Sequence, residues 1–427
     1  MKTKTDIKFI PEFKIEKDEF GVEYDVNNQR LLSAYKLSIS GIKHYVVKDG
    51  TKIISVKAFR SLNDLESIVL PDSVESIEDC AFHNCKSLES IQLPASLKLM
   101  GKIPFNSCNK IKEISIDENN NSFKIESEFL LSKDGTKLIY SIPGLTPDIV
   151  TVPDGVIEIL AGAFIGNTAV KQVILPNTLK SIGELVFEEC TSLEKLVLPE
   201  GLISIGESCF YHSSLNEITI PDTVEEIGEA AFSGCCKLEK IDVRTGNEYF
   251  VSVDGVLFTK NKTILLNYPA ASKAKKYSIP QSTVLINPVA FEGCLYLENI
   301  TLPNTLRQIP KLAFSHCKVL KQIYLPRGIR HIDIGAFYGC TMLEYITLPP
   351  SITFLGEFAF DLCPRLKKIN IPEKLTSICE NAIQYNENLT ISLHRKNNYY
   401  RVYKNILYQK SYSMSNIPCD EEVYYPF

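Results

Sequence analysis

The chain has 427 residues, 44% of them hydrophobic and 23% charged, and a formal net charge of -5. These values are ordinary for a globular protein, and they exclude the basic surface of a nucleic-acid-binding protein, so we expect no nucleic-acid partner. The sequence has no apolar run of about 18 residues or more, which predicts no membrane span.

The N-terminal region combines charges, Pro11 and a hairpin signal. The first residues, MKTKTDIKFIPEF, lack the apolar core of a signal peptide. The sequence leaves the location open: a cytoplasmic protein, or a cell-surface or secreted protein whose export signal has been removed. The segment VEYDVNNQRLLSA (Val22 to Ala34) has two β-prone runs around Asn27 and Asn28, which predicts a β-hairpin.

A repeat then organises the chain almost to its end, and IEDCAFHNCKSLESIQLP (Ile77 to Pro94) is a typical copy. Its anchor is an aromatic residue at Phe59, Phe82, Phe105, Phe164, Phe187, Phe210, Phe232, Phe291, Phe314, Phe337 and Phe360, with Ile383 in the same place. Neighbouring anchors are 22 or 23 residues apart, except for two steps of 59. A fixed period in the twenties is typical of a solenoid, whose stacked coils share one core.

Each long step is one repeat plus an insert of 36 residues, and each insert reads as a β-hairpin. The inserts contain FKIESEFLLSKDGTKLIYSIP (Phe123 to Pro143) and YFVSVDGVLFTKNKTILLNYP (Tyr249 to Pro269), and a further hairpin begins at Tyr399. The predicted divisions are a cap with a hairpin (1–50), repeat block 1 (51–117), an insert (118–152), repeat block 2 (153–244), an insert (245–279), repeat block 3 (280–395) and a C-terminal hairpin and tail (396–427).

Two segments of each repeat carry structure. The first, as in Leu88 to Leu93, has apolar residues two apart at its end, which predicts a strand, and a proline such as Pro94 ends it. The return segment predicts short extended pieces and a tight turn near the aromatic residue. We expect glycines in this segment (Gly183, Gly206, Gly228 and Gly356) to adopt positive φ. The resulting fold is a solenoid dominated by a parallel β-sheet, with few or short helices.

Eight of the thirteen cysteines lie three residues after the anchor: Cys85, Cys108, Cys190, Cys235, Cys294, Cys317, Cys340 and Cys363. Side chains stacked in register point the same way, which disfavours the dihedral angle of a disulfide. We therefore expect reduced, buried thiols. The sequence has no recurring ligand spacing of Cys and His, so we expect no metal.

The repeat AFxxCxxLxxIxLPxxLxxIG resembles that of the BspA-like (treponemal-type) leucine-rich-repeat proteins, and GVLFTKNKTILLNYP is similar to the hairpin that many of them carry. The resemblance runs from about Val22 to about Tyr408. It implies an α/β leucine-rich-repeat solenoid with a parallel sheet. It also implies a surface or secreted protein of a host-associated microbe that binds proteins, and adhesion to host matrix or cell-surface proteins is a known role of the family.

The search for catalytic patterns is negative, so we predict no enzyme and no cofactor. P-loop, HExxH and GxSxG patterns do not occur. His83, His212 and His316 occupy turn positions of the repeat. Glutamates form a column at Glu66, Glu89, Glu194, Glu239, Glu298 and Glu344, which reads as a solvated edge rather than as the acid and base of a glycosidase.

A solenoid displays its residues in columns across a concave sheet, which favours binding. Two groups depart from the small polar residues of this face: an apolar strip of Ile174 and Val197, and an aromatic–polar patch of Gln322, Tyr324, Tyr345, Thr347, Lys368 and Asn370. Tyrosine is enriched at interfaces. We predict a non-catalytic protein-binding protein that is a monomer or weak oligomer. An intracellular scaffold and a carbohydrate-active enzyme are the alternatives.

Overall fold

A computed structural model describes residues 14–386, 388–403 and 405–410. The chain divides into two compact units, residues 1–192 (unit 1) and 193–427 (unit 2). The start of the expected cap (1–13) and the expected tail (411–427) lie outside the described residues. The finer division into repeat blocks and inserts stays a prediction.

Short strands make up nearly all the regular structure of both units. In unit 1 they are β1 Ile15–Lys17, β2 Glu23–Asp25, β3 Arg30–Ser33, β4 His44–Val46, β5 Ile53–Ile54, β6 Ser67–Val69, β7 Ser76–Ile77, β8 Ser90–Leu93, β9 Leu99–Met100, β10 Glu113–Ile116, β11 Phe123–Glu126, β12 Phe129–Ser132, β13 Lys137–Ser141, β14 Ile149–Thr151, β15 Glu158–Ile159, β16 Gln172–Ile174 and β17 Ser181–Ile182. In unit 2 they are β18 Lys195–Leu196, β19 Ser204–Ile205, β20 Glu217–Ile220, β21 Glu226–Ile227, β22 Lys240–Val243, β23 Phe250–Val253, β24 Val256–Thr259, β25 Ile264–Asn267, β26 Lys276–Ser278, β27 Leu285–Ile286, β28 Asn299–Thr301, β29 Gln308–Ile309, β30 Gln322–Tyr324, β31 His331–Ile332, β32 Tyr345–Thr347, β33 Phe354–Leu355, β34 Lys368–Ile371, β35 Ser377–Ile378, β36 Thr390–Leu393, β37 Tyr400–Tyr403 and β38 Ile406–Gln409. The helices of this described part are two 3₁₀ helices, Tyr35–Ile39 and Pro143–Leu145.

Each repeat contributes one strand to each of two parallel ladders. The strands of the LxxIxL segments form the front ladder, as in β4-β6-β8-β10 of unit 1 and β26-β28-β30-β32-β34-β36 of unit 2. The return segments form a second ladder, as in β5-β7-β9 and β29-β31-β33-β35. Equivalent residues pair across coils, for example Ile68 with Ile91 and Ile91 with Ile114. The predicted solenoid with a parallel sheet and few or short helices is confirmed within each unit.

The anchor aromatics stack along the interior of both units. In unit 1 the ring centroids of Phe59 and Phe82 are 5.2 Å apart, and those of Phe82 and Phe105 are 5.4 Å apart. In unit 2 Phe337 lies between Phe314, at 5.4 Å, and Phe360, at 5.2 Å. These rings are almost fully buried. The separation is close to the roughly 4.8 Å between hydrogen-bonded strands, so each ring packs on the ring of the next coil.

Backbone reversals flank every anchor. Lys57 lies two residues before Phe59 and has a φ of 57°, and Ser61 lies two residues after it and has a φ of 60°. The same two positions have positive φ at the other anchors, whether glycine occupies them or not. Two left-handed residues turn the chain sharply around the ring, and this is why the return segment has no room for an α-helix.

The expectation of positive φ at Gly183, Gly206, Gly228 and Gly356 was wrong. None of the four is among the residues with positive φ. A Cβ at Gly183 would lie 2.8 Å from the backbone nitrogen of Ala161, and one at Gly356 would lie 2.6 Å from that of Ile334. Glycine is needed there because the backbone of the preceding coil passes too close for any side chain.

The cysteine column has a specific structural role. None of the twelve described cysteines forms a disulfide, and the eight cysteines of the column are buried, as expected. The thiol of Cys85 donates a hydrogen bond to the carbonyl oxygen of Phe59 on the previous coil (2.9 Å), and Cys108 donates in the same way to Phe82 (2.9 Å). Five further thiols, those of Cys190, Cys235, Cys317, Cys340 and Cys363, donate to the anchor of the previous coil. The column therefore links each coil to its neighbour through a buried polar contact.

The hairpin inserts continue the return ladder. Strands β11, β12 and β13 pair antiparallel in succession, and β13 then pairs parallel with β15. Strands β23, β24, β25 and β27 repeat this arrangement in unit 2. The last strand of the insert thus takes the place of a return strand, which keeps the coils in register across the insert.

A buried asparagine fixes the start of each insert, and the sequence analysis did not identify it. The amide of Asn247 donates to the carbonyl oxygens of Pro221 (2.8 Å) and Val224 (2.9 Å), and its oxygen accepts the N–H of Phe250 (2.7 Å). Asn120 and Asn397 make the equivalent contacts. A lysine follows each of these asparagines 13 residues later, and its ammonium group donates to the backbone carbonyl oxygen of the asparagine.

Replacing Phe337 by alanine should lower the free energy of unfolding by about 3–5 kcal/mol, because the cavity would lie between two stacked rings. Tyr324→Ala, at an aromatic residue that is 72% exposed, is the control and should cost less than about 1 kcal/mol. Urea unfolding of the full chain measures both. A loss below about 1 kcal/mol for Phe337→Ala would contradict a continuously packed aromatic column.

Replacing Asn247 by alanine should cost about 2–3 kcal/mol, because two carbonyl oxygens and one N–H would stay buried without their partner. Asn261→Ala, at an exposed hairpin turn where the hydrogen bonds that Asn261 accepts from Thr263 are open to solvent, should cost less, about 0.5–1 kcal/mol. Thermal melting of both variants tests this. Equal melting temperatures would show that the buried asparagine does not hold the insert.

Burial raises the pKa of the Cys235 and Cys363 thiols to about 12, so at about pH 8 these groups are protonated and unreactive. Cys236 is exposed. Iodoacetamide labelling followed by peptide mass spectrometry should modify Cys236 in the native protein, and should modify Cys235 and Cys363 only after denaturation. Rapid native labelling of Cys363 would contradict the closed cysteine column.

Candidate functional site

The front ladder of unit 2 presents the predicted aromatic–polar patch on one outward face. Side chains alternate along a strand, so the residues on either side of buried Ile323, Ile346 and Ile369 point away from the core. Parallel pairing sets Gln322 beside Tyr345 and Tyr324 beside Thr347. Tyr345 in turn pairs with Lys368, and Asn370 lies on that same strand. The structure therefore brings together Gln322, Tyr324, Tyr345, Thr347, Lys368 and Asn370, which we call the front patch.

The two tyrosines of the front patch are exposed, yet both have polar partners. Tyr324 is 72% exposed, and its hydroxyl donates to Gln322 Oε1 at 3.4 Å. The amide of Gln322 donates to Asn299 Oδ1 at 3.2 Å. These contacts orient the Tyr324 side chain, most of which stays open to solvent.

Tyr345 is 55% exposed and is held by a lysine that the sequence analysis did not identify. The Lys367 ammonium donates to the Tyr345 hydroxyl at 3.0 Å and lies 4.8 Å from the ring centroid, within the range of a cation–π contact. The same ammonium pairs with Glu344 at 2.6 Å. The sequence could have indicated this lysine, because Lys367 occupies the same repeat position as the glutamates of the column.

The glutamate column forms ion pairs with lysines of nearby coils. Each of its six members lies within 3.1 Å of a lysine: Glu66 with Lys43, Glu89 with Lys112, Glu194 with Lys237, Glu239 with Lys273, Glu298 with Lys321 and Glu344 with Lys367. Hydrogen bonds from these lysines lower the pKa of Glu66, Glu298 and Glu344. A general acid for glycoside hydrolysis needs a raised pKa, and these three carboxyl groups have the opposite shift.

The second predicted group, Ile174 and Val197, divides between the two units. Ile174 ends β16 of unit 1 and is 43% exposed, and Val197 follows β18 of unit 2 and is 82% exposed. Both are outward-facing, as the repeat position requires. Their combination into one apolar strip stays a prediction.

Among the described residues, no group of three or more His, Cys, Asp or Glu side chains could hold a metal ion. Burial lowers the pKa of His83, whose Nδ1 has no partner. Over this same part of the chain, no helix has the length and apolar character needed to cross a bilayer.

A surface groove of about 370 Å³ lies on the front face of unit 2, beside strands β18, β20 and β22. Its charged groups neutralise one another, since Lys240 pairs with Asp242 at 2.7 Å and with Glu217 at 3.3 Å. Lys273 likewise pairs with Glu239. Five of the six charged side chains that line the groove, all but Lys195, therefore form ion pairs.

Comparison with known proteins gives a family match. The family model described as a BspA type leucine-rich repeat region matches six copies over residues 33–134, 147–264 and 267–390. Among curated proteins, no sequence matches the chain significantly.

Several solved structures are similar to this chain. A leucine rich cell surface protein from Faecalibacterium prausnitzii A2-165 is 23% identical with a TM-score of 0.54, over 90% of this chain and 96% of that one. The pneumococcal vaccine antigen PcpA is 20% identical with a TM-score of 0.42, over 90% and 89%. A leucine-rich repeat protein from Bacteroides ovatus ATCC 8483 is 22% identical with a TM-score of 0.35, over 89% and 90%. At these identities the first similarity supports the fold alone.

Proposed function

Because this chain belongs to the BspA type leucine-rich-repeat family, we propose that it is a non-catalytic protein-binding module whose ligand docks on the front patch of unit 2. The observation that carries this proposal is the pair of exposed tyrosines on adjacent parallel strands. Tyr324 and Tyr345 each offer a large apolar surface and a hydroxyl group, the combination that interface hot spots favour.

Preorganisation supports the tyrosines as anchors. Gln322 holds the Tyr324 hydroxyl and Lys367 holds the Tyr345 hydroxyl, so less side-chain entropy is lost on binding than for free rings. Around them, Thr347, Lys368 and Asn370 form a polar rim of exposed side chains. The six strands of this ladder, at about 4.8 Å spacing, span roughly 24 Å, wide enough for a folded protein ligand.

The proposed biological setting is the surface of a host-associated microbe. The F. prausnitzii protein of similar fold is described as a cell surface protein, and an adhesion or host-interaction role suits an exposed binding face. A host matrix or cell-surface protein is the proposed ligand. The chain itself would act as a monomer or weak oligomer.

An intracellular scaffold is the second candidate, and the free thiols favour it. None of the twelve described cysteines forms a disulfide, and disulfides are rare in reducing compartments. If the protein acts at the cell surface, the thiols of the column stay reduced because they are buried and hydrogen-bonded to carbonyl oxygens. Both readings use the front patch for binding, and they differ in the source of the partner.

The double variant Tyr324→Ala with Tyr345→Ala should weaken ligand binding by about 100-fold, since two anchors of about 1–2 kcal/mol each would be lost. The ligand is first captured from a panel of purified matrix proteins, cytosolic extracts and glycan arrays, and its dissociation constant is then measured by biolayer interferometry. The melting temperature should stay unchanged, because both side chains are exposed.

Tyr249→Ala is the matched control, since Tyr249 is 47% exposed in unit 2 but lies outside the front ladder. It should leave the dissociation constant unchanged. An unaltered dissociation constant for the double variant would remove the front patch from the binding site. Turnover of an arrayed glycan would replace the binding proposal with the enzyme alternative.

A further inference from the structure

The return side of unit 2 contains a run of return segments without acidic residues. The equivalent segments 280–286, 303–309, 326–332 and 349–355, which include the return strands and the turns before them, have no Asp or Glu. The equivalent segments on either side of this run do contain acids, with Asp222, Glu225 and Glu226 before it and Glu373 after it. Three of the chain's arginines, Arg307, Arg327 and Arg330, lie within the acid-free run.

The fold places these three arginines on adjacent coils. Strand β31 pairs with β29, and the backbone N–H of Arg330 donates to the carbonyl oxygen of Arg307 at 2.8 Å. Arg307 Nη1 donates to the carbonyl oxygens of Asn304, Thr305 and Leu306, each at 3.0 Å. These bonds orient the Arg307 guanidinium against the turn that carries Arg327.

Gly328 leaves room for the Arg307 guanidinium. A Cβ at Gly328 would lie 2.5 Å from Arg307 Nη1, so a side chain there would displace the guanidinium. Arg307, Arg327 and Arg330 are all exposed, as are the neighbouring Gln308 and His331. The cluster is therefore a single accessible surface on the side of the coils that bears the return strands, which we call the arginine patch.

The arginine patch lacks ion pairs of the kind that the glutamate column forms with its lysines. Within the part of the chain that the structure describes, none of its three arginines forms an ion pair, whereas Lys273, Lys275, Lys321 and Lys367 of the front face all do. The nearest acid in sequence, Asp333, follows β31, and its side chain accepts the N–H of Ile334. Three uncompensated guanidinium groups in a chain of net charge -5 attract an anionic ligand locally.

We propose that the arginine patch binds a sulfated polysaccharide. The guanidinium fork matches the paired oxygens of a sulfate or similar oxyanion better than an ammonium group does. Arg307 and Arg330 occupy equivalent positions on two adjacent coils, about 4.8 Å apart, so neighbouring sulfates of a linear chain can meet both. The side chains of Asn304 and Gln281 add amide groups for the sugar hydroxyls at the edge of the patch, and Gln281 Oε1 accepts the backbone N–H of Asn304 at 3.3 Å.

The patch fits a sulfated saccharide better than a nucleic acid. Single-stranded nucleic acids bind where aromatic side chains interleave with cations and stack on the bases. Within the acid-free segments the only Phe, Tyr or Trp is Phe354, and it is half-buried with its ring packed against His331. The patch supplies charge and hydrogen-bond donors without an open stacking platform.

The experiment measures binding of the full chain to an immobilised heparin dodecasaccharide, with its desulfated form as reference, by surface plasmon resonance. We expect the variant Arg307→Gln with Arg327→Gln and Arg330→Gln to bind at least about tenfold more weakly. The corresponding triple lysine variant should fall between it and the native protein, because lysine keeps the charge but not the fork. Raising the salt concentration should weaken native binding.

A matched control removes the same charge from other exposed positions of unit 2, through Lys318→Gln, Arg365→Gln and Arg395→Gln. It should change the affinity by less than about threefold if location rather than net charge matters. Tyr324→Ala with Tyr345→Ala should also bind heparin normally, which keeps this test independent of the front patch. Unfolding curves of all variants check that the fold is intact.

Three results would overturn the proposal. The first is equal binding by the native protein and the triple glutamine variant, or an equal loss in that variant and the charge-matched control. The second is equal affinity for the sulfated and desulfated saccharides. The third is tighter binding to a single-stranded oligonucleotide or to phosphatidylserine vesicles that the triple glutamine variant abolishes, which would assign the patch to a different polyanion.

Discussion

The contact between the anchor phenylalanine of one coil and that of the next is the constraint on which the other features depend. A ring separation of 5.0–5.4 Å matches the spacing of hydrogen-bonded strands, so ring stacking and strand pairing reinforce each other. The left-handed residues on both sides of the ring turn the chain around it, and the cysteine thiol of the following coil donates to its carbonyl oxygen. The left-handed residues and the cysteine hydrogen bond recur in coil after coil because the anchor phenylalanine recurs at a fixed position.

The inserts show how a solenoid accommodates extra residues without losing this register. The insert leaves the coil, forms an antiparallel hairpin and returns as a strand that pairs parallel with the next return strand. Buried Asn120 and Asn247 satisfy carbonyl oxygens that a coil of ordinary length would cover. Because the added residues end in the same strand position, the aromatic column can resume beyond them.

The two sides of unit 2 differ in electrostatics although one repeat builds both. On the front face the glutamate column pairs with lysines of neighbouring coils, which leaves the tyrosines as its most distinctive exposed groups. On the return side the acid-free segments leave Arg307, Arg327 and Arg330 without ion pairs among the described residues. A repeat specifies the scaffold positions, and the variable positions between them are free to create two surfaces of different chemistry.

By itself the sequence determined the period, the parallel strands, the hairpin inserts and the free state of the cysteines, because each follows from a residue type recurring at a fixed position. It also located the front patch, since alternation along a strand decides which residues face outward. Only the tertiary structure decided which groups meet between coils. The lysine that holds Tyr345, the asparagines under the inserts and the unpaired arginines depend on contacts between residues about 22 to 26 positions apart, which no local pattern reports. The same reason explains the error at Gly183 and Gly356, where the backbone of a neighbouring coil, rather than the local φ angle, requires glycine.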